Sequence, residues 1–180
     1  MIIVMGLPGA GKSTVLSAAA NSGYKTVNYG DLMFEIASKE KIISHRDHLR
    51  KLDPAQQKRV QAAVGKALAE MNGKIILDTH CSISTKKGYL PGLPYSLLSG
   101  LTVEYLVLIS APIEEILARR RKDTTRVRDD EPPESLAEHD SMNRSFLAAY
   151  SCLTGAPAVI IMNKDGGLQA AQEKLLSILS

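Results

Sequence analysis

Short apolar runs alternate with segments of helical periodicity along most of the chain. A strand that is buried on both faces is typically a run of consecutive apolar residues, and four such runs together with the more polar segment at residues 25–29 predict five strands. They span residues 2–5, 25–29, 74–77, 103–109 and 158–162. Strands separated by helices are typical of βαβ units, so we predict an α/β fold around one five-stranded parallel sheet.

Apolar residues recur with a period of 3.6 in the segments between these strands. The clearest helix begins at Pro54, where proline suits the first turn, and ends before Asn72-Gly73. Further helices are predicted over residues 13–21, 31–39, 113–121 and 168–179. Two polar segments, residues 79–94 and 122–134, are not assigned to any element. Both exceed the usual length of a connection, which is typical of functional loops.

Length and composition restrict the class of protein. A chain of 180 residues suits one domain with a substantial core, and 44% hydrophobic residues are too many for a disordered chain. No apolar run approaches the roughly 20 residues of a membrane span, and no basic segment precedes the first apolar run as in a signal peptide. We therefore expect a cytoplasmic protein. The net charge of +3 does not by itself indicate a nucleic-acid partner.

A glycine-rich segment, GLPGAGKST at residues 6–14, matches the phosphate-binding pattern G-x-x-x-x-G-K-[ST]. It lies between a predicted strand and a predicted helix, which is the context this pattern requires. Glycines allow backbone N–H groups to converge on phosphate oxygens. The Lys12 ammonium suits the β and γ phosphates, and the Ser13 hydroxyl suits Mg²⁺. The residues predicted to bind nucleotide are Gly6, Leu7, Pro8, Gly9, Ala10, Gly11, Lys12, Ser13 and Thr14.

Asp78 directly follows the predicted strand at residues 74–77. It is similar in position to the acidic residue that holds Mg²⁺ in P-loop proteins, so Ser13 and Asp78 form the predicted metal site. A single aspartate after a strand is also common as a turn former or a helix cap. The sequence leaves both interpretations of Asp78 open.

Basic residues are concentrated between positions 119 and 128. Arginine binds phosphate oxygens in a bidentate manner, and a loop that carries arginines can close over a nucleotide. The alternative is a solvated helix end followed by a polar loop, as in most charge runs. Beside a P-loop we favour the first interpretation. The cluster consists of Arg119, Arg120, Arg121, Lys122, Arg126 and Arg128.

Three other patterns do not predict chemistry. His80 and Cys81 are adjacent, so in an extended segment they point in opposite directions and do not form a base–nucleophile pair. His45 and His48 have no acidic or cysteine partner that would complete a metal site. The sequence Asn163-Lys164-Asp165 is one residue short of the N-K-x-D signature of guanine-specific GTPases, and we interpret it as a turn between strand and helix.

A P-loop in a chain of this length, with two long polar loops, favours a nucleotide or metabolite kinase over a motor. Seven segments in a fixed order carry a more specific resemblance. The sequence resembles the archaeal-type adenylate kinases, which are P-loop nucleoside monophosphate kinases, over essentially its whole length. The segments are GLPGAGKST at 6–14, VNYGDLMFEIA at 27–37, HRDHLRKLDPAQQKR at 45–59, ILDTH at 76–80, KGYLPGLP at 87–94, DTTRVRDD at 123–130 and LTGAPAVIIMNKDG at 153–166.

The resemblance implies reversible, Mg²⁺-dependent phosphoryl transfer in which ATP and AMP give two ADP. It implies a three-layer α/β/α P-loop fold in a single domain, with an AMP-binding region at about residues 29–60 and a short lid at about residues 120–134. Lys12 and the lid-side residues Arg119, Arg126 and Arg128 match the catalytic positions. The positions on the AMP side are Gly30, Arg46, Arg50, His80 and Lys86. Members of the family are commonly homotrimers, so we expect an oligomer.

The chain departs from the family in two ways. A basic residue often occupies the position of Ser84, and here Lys86 and Lys87 are the candidates for that charge. Some bacterial adenylate kinases carry a four-cysteine zinc site, but this chain has two cysteines, so we expect no structural zinc. No general base is evident, and positioning with charge neutralisation can supply most of the catalysis. The alternatives are a kinase for CMP or UMP, and a P-loop ATPase switch or RNA-associated binding module.

Overall fold

The computed structural model describes residues 1–123 and 132–180, except for the side chain of Arg50. Its strands are β1 Ile2–Gly6, β2 Lys25–Asn28, β3 Ile75–Asp78, β4 Ser82–Thr85, β5 Gly88–Pro91, β6 Tyr105–Ser110 and β7 Ala158–Met162. Five of them form one parallel sheet in the order β2-β3-β1-β6-β7. The other two, β4 and β5, form a separate antiparallel hairpin.

The helices connect the strands and cover both faces of the sheet. They are α1 Lys12–Leu16, α2 Tyr29–Lys39, α3 Pro54–Ala69, α4 Tyr95–Leu98, α5 Ile113–Lys122, α6 Pro133–Thr154 and α7 Leu168–Leu179, with 3-10 helices at Ser17–Asn21 and Arg46–Lys51. The side chain of Asn28 caps α2, and Asp53 caps α3 in a reciprocal capping box with Gln56. None of the helices in the described ranges is long and apolar enough to cross a membrane.

Two apolar clusters lie on opposite faces of the sheet. The side chains of β1 alternate between them, because successive residues of a strand point to opposite faces. Ile3 and Met5 belong to the cluster under α2, α3 and α4, whereas Ile2 and Val4 belong to the cluster under α1, α5 and α7. All of β1 is buried, as a central strand covered on both faces must be. The predicted three-layer α/β/α fold with a five-stranded parallel sheet is therefore confirmed.

The helix predicted over residues 13–21 is divided in two. The α-helical part ends at Leu16, and a 3-10 helix continues from Ser17 to Asn21. The carbonyl oxygen of Thr14 accepts hydrogen bonds from Ser17 Oγ at 2.7 Å and from Gln172 Nε2 at 3.1 Å. Side chains that bind a helical carbonyl compete with the regular backbone ladder, which accounts for the change at this point.

The segment at residues 79–94, which the pattern left unassigned, contains the β4–β5 hairpin. Its strands have four residues each and most of their side chains are exposed, so they lack the alternation of apolar and polar residues that predicts a strand. The hairpin turn also lacks the Asn-Gly or Asp-Gly pair that marks a tight turn. A short hairpin outside the core therefore gives little hydrophobic signal.

Helix α6 has 22 residues and was not among the predicted elements. Its buried residues follow helical spacing, but two of the five are polar: Leu136, His139, Asn143, Leu147 and Tyr150. A search for apolar periodicity does not register a buried histidine or asparagine. The reason why this helix buries polar side chains is the hairpin that packs against it, as described below.

Candidate active site

The glycine-rich segment forms a loop between β1 and α1 whose glycines have no substitute. Gly9 and Gly11 have φ values of +95° and +80°, which side chains with a Cβ rarely adopt. A Cβ on Gly11 would also lie 2.2 Å from Nδ2 of Asn163. That amide donates a hydrogen bond of 2.9 Å to the carbonyl oxygen of Ala10. The loop is therefore held in shape by a side chain from beyond the last strand of the sheet.

This loop lines a cleft of about 610 Å³ above the carboxyl ends of β1, β2 and β3. In parallel α/β folds this edge of the sheet is the usual place for a ligand. We call the wall at residues 6–14 and Arg119 the P-loop side. The wall formed by α2 and the hairpin segment is the hairpin side. The residues lining the hairpin side are Asn28, Tyr29, Gly30, Met33, Arg46, His80, Ile83 and Gly92.

Lys12 and Asp78 form an ion pair where the two sides meet. Both side chains are largely buried, with exposed fractions of 14% and 12%. The second carboxylate oxygen of Asp78 accepts a hydrogen bond of 3.0 Å from Asn28 Nδ2. The Oδ1 atom of the same asparagine accepts the Asp31 N–H and so caps α2. Asp78 therefore has a charged partner and a fixed orientation, unlike a simple turn former.

Arg119 reaches the P-loop from α5 and is held on three sides. Its Nη2 atom donates to Glu115 Oε2 and to the carbonyl oxygen of Asn163, both at 2.9 Å. Its Nε atom donates to Asp165 Oδ1 at 3.0 Å. The Nη1 atom is buried and has no hydrogen-bond partner among the described residues. A Cβ on Gly11 would lie 3.9 Å from this atom, so a donor that no described residue binds lies beside the P-loop.

The sequence Asn163-Lys164-Asp165 does more than form a turn. Asn163 is buried and binds both the P-loop, through its side chain, and Arg119, through its carbonyl oxygen. Asp165 binds Arg119 and donates its backbone N–H to Glu115 at 2.7 Å. This role is not predictable from local patterns, because contacts between residues 44 to 153 positions apart leave no local signal. Arg120, predicted only as part of a charge cluster, donates to the carbonyl oxygen of Pro8 at 2.7 Å.

Ser13 and Asp78, the residues of the predicted metal site, have donor atoms that suit Mg²⁺. Both residues line the cleft, and they offer a hydroxyl and a carboxylate oxygen. Mg²⁺ prefers such oxygen ligands and is usually bound by one or two carboxylates together with substrate phosphates. The hydrogen bond from Asn28 orients the Asp78 carboxylate. The residues present therefore fit the ion.

Tyr29 has a buried hydroxyl without a hydrogen-bond partner among the described residues, and it lines the hairpin side of the cleft. Burial raises the pKa of this phenol to about 12, so it is neutral at physiological pH. Cys81 is also buried, and burial raises the pKa of its thiol to about 12. A protonated, enclosed thiol is a poor nucleophile, in agreement with the interpretation that His80 and Cys81 are not a catalytic pair.

Comparison with known proteins identifies the family. A family model described as an AAA domain matches residues 5–137. An adenylate kinase of Methanocaldococcus jannaschii is 46% identical over 187 aligned residues, covering 99% of this chain and 97% of that protein. An adenylate kinase of Methanothermobacter thermautotrophicus is 41% identical and covers 99% of this chain and 98% of that protein. This chain belongs to the adenylate kinase family. The resemblance inferred from the sequence motifs is confirmed.

Solved structures agree on the fold. A shikimate kinase from Acinetobacter baumannii, solved with shikimate, has a TM-score of 0.61 at 20% identity and covers 99% of this chain and 92% of its own. A shikimate kinase from Bacteroides thetaiotaomicron has a TM-score of 0.63 at 13% identity and covers 99% and 97%. At this identity the likeness shows the fold alone, which agrees with the α/β/α architecture described above.

The positions that match the AMP side of adenylate kinases divide into three groups. Gly30, Arg46 and His80 line the cleft, and Arg46 forms an ion pair with Asp31 at the start of α2. Lys86 lies in the exposed hairpin turn and is not among the cleft-lining residues. Arg50 lies in the 3-10 helix at Arg46–Lys51, and its side chain is outside the described structure.

The lid-side positions are only partly described. Arg119 lies in α5 at the P-loop, as the adenylate kinase motifs imply. Arg126 and Arg128 fall in residues 124–131, which lie outside the described residues. Asn28, Ile83 and Gly92 also line the cleft and were not predicted as site residues. Asn28 and Gly92 lie within segments that carry the family resemblance, at residues 27–37 and 87–94, whereas Ile83 has no sequence signal.

Proposed function

We propose that this chain catalyses the reversible transfer of a phosphoryl group from ATP to AMP, giving two ADP, in the presence of Mg²⁺. One observation carries the proposal: the P-loop with Lys12 and the family's AMP-side residues Gly30, Arg46 and His80 line the same cleft. A kinase for two nucleotides needs both sites in one water-excluding space, with the reacting groups in line.

On the P-loop side, residues 6–14 bind the ATP phosphates through backbone N–H groups. Lys12 neutralises the β and γ phosphates, and its ion pair with Asp78 holds the ammonium at the mouth of the loop. The Nη1 atom of Arg119, which has no hydrogen-bond partner among the described residues, donates to an oxygen of the transferred group. Arg126 and Arg128 add positive charge from the lid at about residues 120–134.

Ser13 and Asp78 hold Mg²⁺ together with phosphate oxygens. The ion supplies charge neutralisation at the phosphates when it is bound. The chain's own residues orient the reactants, because phosphoryl transfer depends mainly on alignment and on cations around the moving group. No side chain is required to act as a general base.

On the hairpin side, the AMP-binding region at about residues 29–60 holds the acceptor. The close approach of Gly30 to Arg46 supports this arrangement, since a Cβ on Gly30 would lie 3.1 Å from Nη2 of Arg46. Arg46 and Arg50 bind the AMP phosphate, and His80 borders the nucleotide. Lys86 contributes positive charge from the hairpin turn.

The assembly and location of the protein are part of the same proposal. We expect a cytoplasmic homotrimer of single-domain subunits that acts on free ATP, ADP and AMP. Sedimentation equilibrium tests the oligomeric state, and a mass of one subunit would contradict it. No nucleic-acid partner is needed for the reaction.

A coupled assay with AMP, CMP and UMP as separate acceptors tests the substrate. AMP should be preferred by the ratio kcat/KM, and each turnover should yield two ADP. Preference for CMP or UMP would show that the chain is a nucleoside monophosphate kinase whose acceptor is not AMP. Slow ATP hydrolysis without transfer to any monophosphate, together with salt-dependent RNA binding, would favour the switch or RNA-binding alternative.

A further inference from the structure

The hairpin segment has two faces, one on the cleft and one on helix α6. His80, Ile83 and Gly92 line the cleft. Cys81 and Ser82, which lie between the first two, are buried against α6. This wall of the cleft is therefore one face of the hairpin segment, and the opposite face packs on α6. None of the described residues of α6 lines the cleft.

Tyr150 of α6 joins the two ends of the hairpin. Its hydroxyl donates a hydrogen bond of 2.8 Å to the carbonyl oxygen of Cys81 and accepts one of 3.3 Å from the N–H of Leu93. These two residues directly adjoin His80 and Gly92 in the chain. The ends of the hairpin lie so close that a Cβ on Gly92 would be 2.0 Å from the carbonyl oxygen of His80.

A second set of hydrogen bonds lies one residue further along β4. Ser82 Oγ donates to Asn143 Oδ1 at 2.6 Å. Because the serine proton is used in that bond, the contact of 3.1 Å between Ser82 Oγ and His139 Nε2 requires the histidine to donate. The thiol of Cys81 donates to the backbone carbonyl oxygen of Asn143 at 3.2 Å. The same hairpin strand is thus bound to α6 at two successive residues.

These hydrogen bonds are directional. Apolar contacts alone would bury the hairpin against α6 without fixing its orientation. Buried polar pairs contribute little more to stability than apolar side chains of the same shape, and they are costly when one partner is missing. The hydrogen bonds instead restrict the hairpin to a single orientation on α6. His139, Asn143 and Tyr150 are each at most 8% exposed, so water does not replace the bonds.

We propose that Tyr150, Asn143 and His139 are positioning residues for the hairpin side of the cleft. They fix the strand ends that carry His80, Ile83 and Gly92, and thereby set the affinity for the monophosphate acceptor without touching it. This inference rests on the proposed function, which assigns the acceptor to this side. It assigns a role in substrate binding to a helix none of whose described residues lines the cleft.

The test compares Tyr150→Phe with the wild-type chain and with Tyr105→Phe as a matched control. Tyr105 begins β6, at the end of the sheet away from the cleft. Tyr150→Phe removes both hydrogen bonds of the hydroxyl, to Cys81 and to Leu93. We expect it to raise KM for AMP about three- to tenfold, because only part of the lost hydrogen-bond energy is transmitted to the acceptor. KM for ATP and kcat should change less than about twofold, and Tyr105→Phe should change none of the three. The dissociation constant for AMP, measured by calorimetry, should rise by the same factor.

A second variant, Ser82→Ala, covers the case in which Tyr150→Phe does not fold. It removes the hydroxyl shared by Asn143 and His139 and should also raise KM for AMP selectively. Reduced resistance to urea with an unchanged ratio of the two KM values in both variants would overturn the positioning role. A wild-type chain that neither binds nor phosphorylates AMP would instead overturn the proposed function, so the two failures are distinct.

Discussion

The two sides of the cleft are built in different ways. The P-loop side is one continuous segment of nine residues, Gly6 to Thr14, together with Arg119 from α5. The glycines allow the backbone conformation of the segment, and the amide of Asn163 holds it. The hairpin side combines residues from β2, α2, the 3-10 helix after it and the β4–β5 segment. The first consists of contiguous residues and is readable as a motif, although Asn163, which holds it, lies 153 positions from Ala10. The second is assembled from separate elements, so no motif records it, and Tyr150, which holds it, lies 69 positions from Cys81.

The replacement Lys12→Ala should have the largest effect on the P-loop side and only a small effect on the hairpin side. It removes the cation at the phosphates, and we expect kcat to fall about 100- to 1,000-fold, as when one electrostatic group is removed from an active site. Circular dichroism should show a preserved fold. AMP binding by calorimetry should stay within about twofold, because the hairpin side is intact. Unchanged turnover would refute the role of Lys12, and loss of AMP binding would show that the two sides are not independent.

The contact between Gly11 and Asn163 tests how the P-loop keeps its shape. We expect Gly11→Ala to lower the free energy of unfolding by about 2–4 kcal/mol, because it combines backbone strain with a clash. Gly73→Ala is the matched control: its φ is +92° and a Cβ there would meet no atom within 4 Å. The control should lose about 1 kcal/mol from strain alone.

The double variant Gly11→Ala with Asn163→Ala distinguishes the clash from the strain. Removing the Asn163 amide should recover part of the unfolding free energy that Gly11→Ala loses. Urea unfolding of the wild-type chain, the two single variants and the double variant measures this. Strict additivity of the two changes would contradict a direct contact between Gly11 and Asn163.

Alkaline pH should act on the hairpin side first. Burial raises the pKa of Cys81 from 9.0 to about 12 and that of Tyr29 from 10.0 to about 12. The folded protein keeps these protons to a higher pH than the unfolded chain, so the stabilisation is complete below pH 9 and is lost as pH rises toward 12. Urea unfolding should show a loss of about 1.4 kcal/mol per pH unit for each group. Cys81→Ala should reduce the slope, and a slope independent of both groups would contradict the assignment.

The smallest effect should come from Asp165→Asn, which weakens the hold on Arg119 without removing it. Asp165 is 67% exposed, so solvent screens its charge. We expect kcat to fall about threefold with KM for AMP unchanged, since the change is on the P-loop side. Glu173→Gln on α7 is a matched charge removal away from the cleft and should leave both constants unchanged. A larger rise in KM for AMP than fall in kcat would place Arg119 on the acceptor instead.

The difference between the two sides also explains how much could be predicted. Four of the five strands, the P-loop and Asp78 follow from apolar runs and from a contiguous motif, because each depends on neighbours in the chain. The β4–β5 hairpin and α6 do not, since they are joined by buried polar residues such as Ser82 and Asn143. Periodicity records apolar burial only, and a hydrogen bond between residues 61 positions apart leaves no pattern.

The tip of the hairpin is a site at which a probe of acceptor binding can be attached. The turn at Lys86 and Lys87 is exposed, and it closes on itself through Thr85 Oγ1, which donates to the carbonyl oxygen of Gly88 at 2.7 Å. Exposed turns of this kind tolerate attached groups. A fluorophore attached through Lys87→Cys, in a chain that also carries Cys152→Ser, would lie at the exposed tip of the hairpin, whose base residues His80 and Gly92 line the cleft. Its anisotropy, measured with and without AMP, would show whether binding of the acceptor changes the motion of the tip.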